Sequence, residues 1–146
     1  MQYTTLGRTG LKVSVAGLGC GGHSRLGQKT GRTEQESIQV VRQALDLGIN
    51  LLDTAEAYGT ESIVGKAIRD VARDQLVIST KKLCPAHDSD DPSAELRRGV
   101  EHSLKRLQTD YVDVFYLHGV RAGQYQNAPN TPNTCLLYTS PSPRDS

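Results

Sequence analysis

The sequence has no excess of either charge, no long apolar run and no cysteines at metal-binding spacing. Its 17 Lys and Arg are scattered among 16 Asp and Glu, for a net charge of +1, so no basic patch marks a nucleic-acid or anionic-membrane partner. No apolar stretch approaches the ~20 residues of a membrane span, and the opening MQYTTLGRTG lacks the basic and apolar regions of a signal peptide. A cytoplasmic protein with no membrane partner is the expectation. Cys20, Cys84 and Cys135 share no CxxC spacing, and His23, His87, His102 and His118 form no zinc pattern with them. Free thiols and no metal are therefore expected. What is present, 146 residues of which 36% are hydrophobic and 23% charged, suits one globular domain.

A strand and helix unit repeats along the chain. The apolar, β-prone run from Val13 to Gly19 leads through a Gly-rich polar loop to Thr33 and Glu36, which make a capping box for a helix with Ile38, Val41 and Leu45 as its buried stripe. Gly48 is placed to end that helix. The run Ile49 to Leu52 reaches Asp53, after which Thr60 is expected to cap a second helix bearing Ile63, Val64, Ala67, Ile68 and Val71 on one side. LVIST, Leu76 to Thr80, is a third strand; Asp91 and Pro92 start a helix with Leu96, Val100, Leu104 and Leu107 at helical spacing. Tyr111 to Leu117 is the fourth strand. Apolar strands separated by amphipathic helices imply a parallel sheet covered on both faces, which is either an open doubly wound sheet or a barrel. Before the repeat, short alternating pieces around Gly7 and Gly10 suit a β-hairpin.

Two candidate sites compete. GLGCGG, Gly17 to Gly22, matches the letters of the dinucleotide fingerprint. That motif works only if a helix begins at the glycines, so that its amides meet a pyrophosphate. Here HSRLGQKTGRT follows, without apolar period, and Asp53 falls 31 positions beyond Gly22 where about 20 are expected. A Gly-rich turn at a strand end is the better reading. The second candidate is a set of polar side chains where strands stop: Asp53, Lys81 and His118, with Tyr58 in the loop after Asp53. Each alone has a bland explanation: a turn cap, a rim residue, a lysine solvated beside Lys82, a hydrogen-bonded core histidine. Together they suit a proton transfer to a carbonyl oxygen. An ordinary tyrosine hydroxyl titrates near pH 10 and needs a neighbouring ammonium to favour its phenolate. A carboxylate can hold that lysine, and a histidine can donate to the substrate oxygen.

LGRTGLKVS, GLGCGG, LDLGINLLDTAEAYG, VISTK and DYVDVFYLH, spread over residues 3 to 120, together resemble the aldo-keto reductases. The resemblance implies a TIM barrel closed at its bottom by an N-terminal hairpin. It implies an NADPH-dependent, or sometimes NADH-dependent, oxidoreductase that reduces a small aldehyde or ketone to an alcohol. The family's catalytic tetrad carries by motif to Asp53, Tyr58, Lys81 and His118, with Asp53 also at the cofactor. Tyr58 would give the proton, Lys81 and Asp53 would tune it, and His118 would polarise the carbonyl.

A TIM barrel needs eight strands and typically about 250 residues. Four units are present, so the fold implied is the N-terminal half of a (β/α)8 barrel with a hairpin. After His118 the likeness fades, and past about Tyr125 no residue aligns with the family. The final CLLYTSPSPRDS resembles a translated sequencing-library adapter from Cys135 to Asp145, codon by codon. The expected organisation is a partial barrel over residues 1–134 and an artefactual, unstructured tail over 135–146. Most of the family's contacts to the nicotinamide amide and phosphates come from later strands, so this chain alone is expected to be inactive. The alternative is a truncated, non-catalytic barrel that binds a partner or itself. Substrate identity and oligomeric state are not encoded in these residues.

Overall fold

The computed structural model describes residues 1–85 and 89–119. β1 (Tyr3–Thr5) and β2 (Lys12–Ser14) form an antiparallel hairpin, and a four-stranded parallel sheet follows. Its strands are β3 (Leu18–Gly19), β4 (Leu51–Asp53), β5 (Val77–Leu83) and β6 (Val114–His118), paired in chain order. The helices between them are α1 (Glu34–Asp46), α2 (Glu61–Ala67) and α3 (Pro92–Leu107). The expected tail at residues 135–146, and the chain past Tyr125, lie outside the described residues.

The expected single strand from Val13 to Gly19 is two strands in two sheets. Its first residues pair with β1, and the chain bends at Val15 and Ala16 before β3. Asn50 makes the break. Its side-chain oxygen accepts from the Ser14 amide at 2.7 Å and its side-chain nitrogen donates to the Lys12 carbonyl at 2.9 Å. The Ser14 hydroxyl accepts from the Asn50 amide at 3.1 Å and donates to the Ala16 carbonyl at 2.7 Å. These bonds satisfy β2 locally and fasten the hairpin to the start of β4. The Tyr3 hydroxyl adds a bond to the Gly48 carbonyl at 2.9 Å.

Strand alternation divides the sheet into two chemistries. Leu52 and Ile78 point outward and are fully buried beneath the helices with Ile63, Val64, Val41 and Leu107. Each such side chain contributes roughly 1.5–3 kcal/mol relative to exposure, so the outer layer carries the stability. The other face holds Asp53, Ser79 and Lys81, and there Leu83 and Tyr116 remain about half exposed.

Helix starts agree with the residue types in two cases of three. Thr33 and Glu36 form the reciprocal capping box of α1, and the Asp91 side chain accepts from the Ala94 amide at 2.9 Å at the start of α3. Thr60 does not cap α2. Its hydroxyl is buried against that of Thr54, 3.0 Å away, a partner from β4's exit. α2 is also shorter than its apolar period, ending at Ala67, with Val71 packed beyond it on the core.

In α3 the deepest line is Gly99, Ser103 and Leu107, with Leu96, Val100 and Leu104 half-buried beside it. Small residues lie where backbones approach most closely. A side chain at Gly65 of α2 would lie 2.6 Å from the Arg106 carbonyl oxygen, so the two helices meet almost backbone to backbone.

The capping box is testable. Glu36 accepts the Thr33 backbone N–H and the Thr33 hydroxyl, which lower its carboxyl below the usual 4.5, and Thr33→Ala removes the second of these bonds. A group depressed in the folded state contributes fully above its ordinary value and loses that contribution as pH falls. Thr33→Ala is expected to reduce the unfolding free energy by about 1 kcal/mol in urea near neutrality, with the deficit shrinking below pH 4.5.

Candidate active site

The sheet register builds the site. Gly19, Asp53, Ser79 and Val114 form one row across the four strands. Lys81 stands two residues farther along β5 on the same face, and His118 is paired with Leu83, two residues farther again. Asp53, Lys81 and His118 therefore climb one face toward the carboxyl ends of the strands, where barrels keep their chemistry. Lys81 and His118 lie within their strands, and not after them as the apolar runs suggest.

Lys81 is the centre of the arrangement. Its Nζ donates to Asp53 Oδ2 at 2.7 Å and to the Thr54 carbonyl at 2.9 Å, and it lies 5.0 Å from the centroid of the Tyr58 ring. His118 meets the same ring edge-on, with centroids 5.5 Å apart and planes at 89°. The four residues singled out by the sequence are thus brought together.

Among the described residues His118 makes no side-chain hydrogen bond. Its Nδ1 is buried and has no partner among the described residues. A buried polar atom of this kind is costly unless something supplies the missing bond. Nor is Lys81 solvated beside Lys82, because alternation sends the two to opposite faces and both are mostly buried.

Three contributors carried weaker signals. The Ser79 hydroxyl donates to Asp53 Oδ1, leaving Oδ2 to Lys81. Ser79 precedes Lys81 by two in a β-prone run, so strand period alone places it on the lysine's face. Gly21 lies under Tyr58: a Cβ there would come within 2.6 Å of the ring. The glycine motif therefore makes room for a tyrosine. No helix begins at it, since α1 starts at Glu34, which removes the mechanism of the dinucleotide fingerprint.

The third is Cys20, fully buried beside Asp53, whose carbonyl accepts the Cys20 amide at 2.7 Å. Burial pushes its thiol up to about 12; the Asp53 charge adds to the effect and the Lys81 charge opposes it.

The whole set falls within residues 18–127, which match the family model described as Aldo/keto reductase family. The chain belongs to the aldo/keto reductase family. It is 42% identical over 128 residues to the aldo-keto reductase YhdN of Bacillus subtilis strain 168, a match covering 81% of this chain and 38% of that one. A thermostable aldo-keto reductase solved with the inhibitor epalrestat superposes with a TM-score of 0.71 at 32% identity, covering 95% of this chain and 49% of the other. A Bombyx mori aldo-keto reductase in complex with NADP gives a TM-score of 0.65 at 27% identity, covering 80% and 37%. The chain spans about 40% of the length of the curated relatives it matches. Aldo-keto reductases of this kind are (β/α)8 barrels, so the described sheet, with its hairpin, is part of a barrel. The barrel resolves the choice left open by periodicity.

Cys20 yields a direct test. A buried thiol that stays protonated is a poor nucleophile. Iodoacetamide at mildly alkaline pH, followed by peptide mapping, is expected to label Cys84 in the native chain and to reach Cys20 only in denaturant.

Proposed function

We propose that this aldo-keto reductase chain supplies the proton-transfer machinery of an NAD(P)H-dependent carbonyl reductase acting on a small aldehyde or ketone. The observation that carries the reading is the Lys81 ammonium held between Asp53 and the Thr54 carbonyl beneath the Tyr58 ring. In this reading Tyr58 gives its phenolic proton to the substrate's carbonyl oxygen. The resulting phenolate lies near a fixed positive charge and is stabilised by it. Asp53 and Ser79 hold that charge in place. His118 donates to the carbonyl oxygen from its imidazole. A bound reduced nicotinamide supplies the hydride that the carbonyl carbon accepts.

Asp53 suits the cofactor as well. A carboxylate offers about four lone-pair directions, and two are used by Ser79 and Lys81, which leaves capacity for a ribose hydroxyl. The complex of the Bombyx mori relative contains NADP, which favours NADPH over NADH in the proposal. A cytoplasmic setting belongs to the same reading.

The test uses a protein that carries the complete barrel. Tyr58→Phe is expected to lower NADPH-dependent reduction of a model aldehyde by about 10²–10⁴-fold while cofactor binding, followed by fluorescence, is retained. Undiminished turnover would remove Tyr58 from the role of acid.

A further inference from the structure

Tyr58 is held by a loop, residues 54–60, and the outer face of the sheet grips that loop at several points. At its two ends the buried hydroxyls of Thr54 and Thr60 meet at 3.0 Å. In its middle Glu56, two residues before Tyr58, faces Lys82 at 2.8 Å and Arg106 at 3.6 Å. Just past its end Glu61, fully buried, accepts from Arg106 Nε and from the Thr80 hydroxyl, both at 2.6 Å. Three consecutive residues of β5 thus reach the loop or the first residue after it: Lys81 at Thr54, Lys82 at Glu56 and Thr80 at Glu61. Arg106, from α3, spans Glu56 and Glu61.

The reach of Lys82 depends on a residue in α3. A Cβ at Gly99 would come within 2.8 Å of Lys82 Cδ, so the glycine provides the slot along which the lysine's methylenes run outward. Lys82 and Glu56 are 19% and 27% exposed, so solvent and salt screen the pair less than a surface one.

We propose that Lys82 and Arg106, acting through Glu56, are positioning residues for Tyr58: the ion pairs on the outer face set where the phenol stands on the inner face. Lys81 is bonded to the loop's entry and reaches its middle only as a charge 5.0 Å from the Tyr58 ring centroid, and the backbone bonds of residues 55–59 are local ones, Tyr58 N to Ala55 O and Gly59 N to Glu56 O. Glu56 is the anchor between them. The proposal rests on the reading of Tyr58 as proton donor for its functional meaning, though not for its test.

The test compares the 146-residue chain, labelled isotopically at tyrosine, with its Glu56→Gln, Lys82→Met and Lys82→Arg variants by NMR. Tyr58 is assigned through Tyr58→Phe, and Tyr111, stacked on Arg73 at 3.9 Å, is the reference for intact structure. Glu56→Gln and Lys82→Met are expected to weaken the Tyr58 to His118 ring cross-peak by about two- to five-fold, the bias an ion pair of this kind supplies, with Tyr111 unmoved. Lys82→Arg keeps the charge and is expected to retain the cross-peak. An unchanged cross-peak in both charge-removing variants overturns the proposal, as does a loss in Lys82→Arg equal to that in Lys82→Met. Because the ring's position is read, and turnover is not, a failure of Tyr58 as the acid appears only in the Tyr58→Phe assay.

Discussion

The position of one ammonium nitrogen governs the rest of the site. Lys81 Nζ is bonded at once to the side chain that ends β4 and to the first carbonyl of the loop that follows. One point charge therefore joins two strands and the tyrosine loop. Its worth is not mainly energetic. The Asp53 side chain is 39% exposed, and an ion pair so open to water contributes no more than about 1 kcal/mol net. What it supplies is a fixed location for positive charge beside the Tyr58 ring, and the surrounding features serve that location: the sheet register, the Ser79 hydroxyl and the space at Gly21.

β5 shows how one strand serves stability and chemistry together. Ile78 and Thr80 face the helices, the first in the apolar core and the second bonded to the buried carboxylate of Glu61. Ser79 and Lys81 face the other way, into the site. Removing Arg106 would strand Glu61 as an uncompensated buried charge, a loss of about 3–5 kcal/mol in comparable pairs, so the helix layer guards the strand that carries the lysine. At the opposite end Arg73 and Asp113 play a similar part. Asp113 accepts from the Arg73 guanidinium at 2.6 Å and from the Ile78 amide at 2.8 Å, which ties the starts of β5 and β6. Strand ends thus differ, one fastened by buried polar bonds and the other carrying the polar groups of the candidate site.

Membership of the aldo/keto reductase family fits this division. The matched region begins at Leu18, so the hairpin lies outside it, attached through Asn50 and Tyr3. The likeness to solved relatives extends over the parallel units and their helices, the part of the chain in which register decides where the chemistry stands.

The order and type of the elements were legible in the residues because apolar period and caps are local: the hairpin, three helices, four parallel strands and the placing of Asp53, Lys81 and His118 toward the carboxyl ends of their strands all follow from short-range pattern. The boundaries that failed did so for non-local reasons. Asn50 is distant in sequence from the strand it divides, Thr60 was claimed by Thr54, and two of the three deepest residues of α3, Gly99 and Ser103, are small ones that hydropathy does not mark. Ser79 was readable in principle from alternation, whereas nothing in the letters linked Gly21 to Tyr58 or Gly99 to Lys82. Sequence by itself determined which chemical groups the chain carries and which strand or loop each occupies. Only the tertiary structure decided which of them touch, because contact depends on register between strands and on close backbone approach, and neither quantity is local to any stretch of residues.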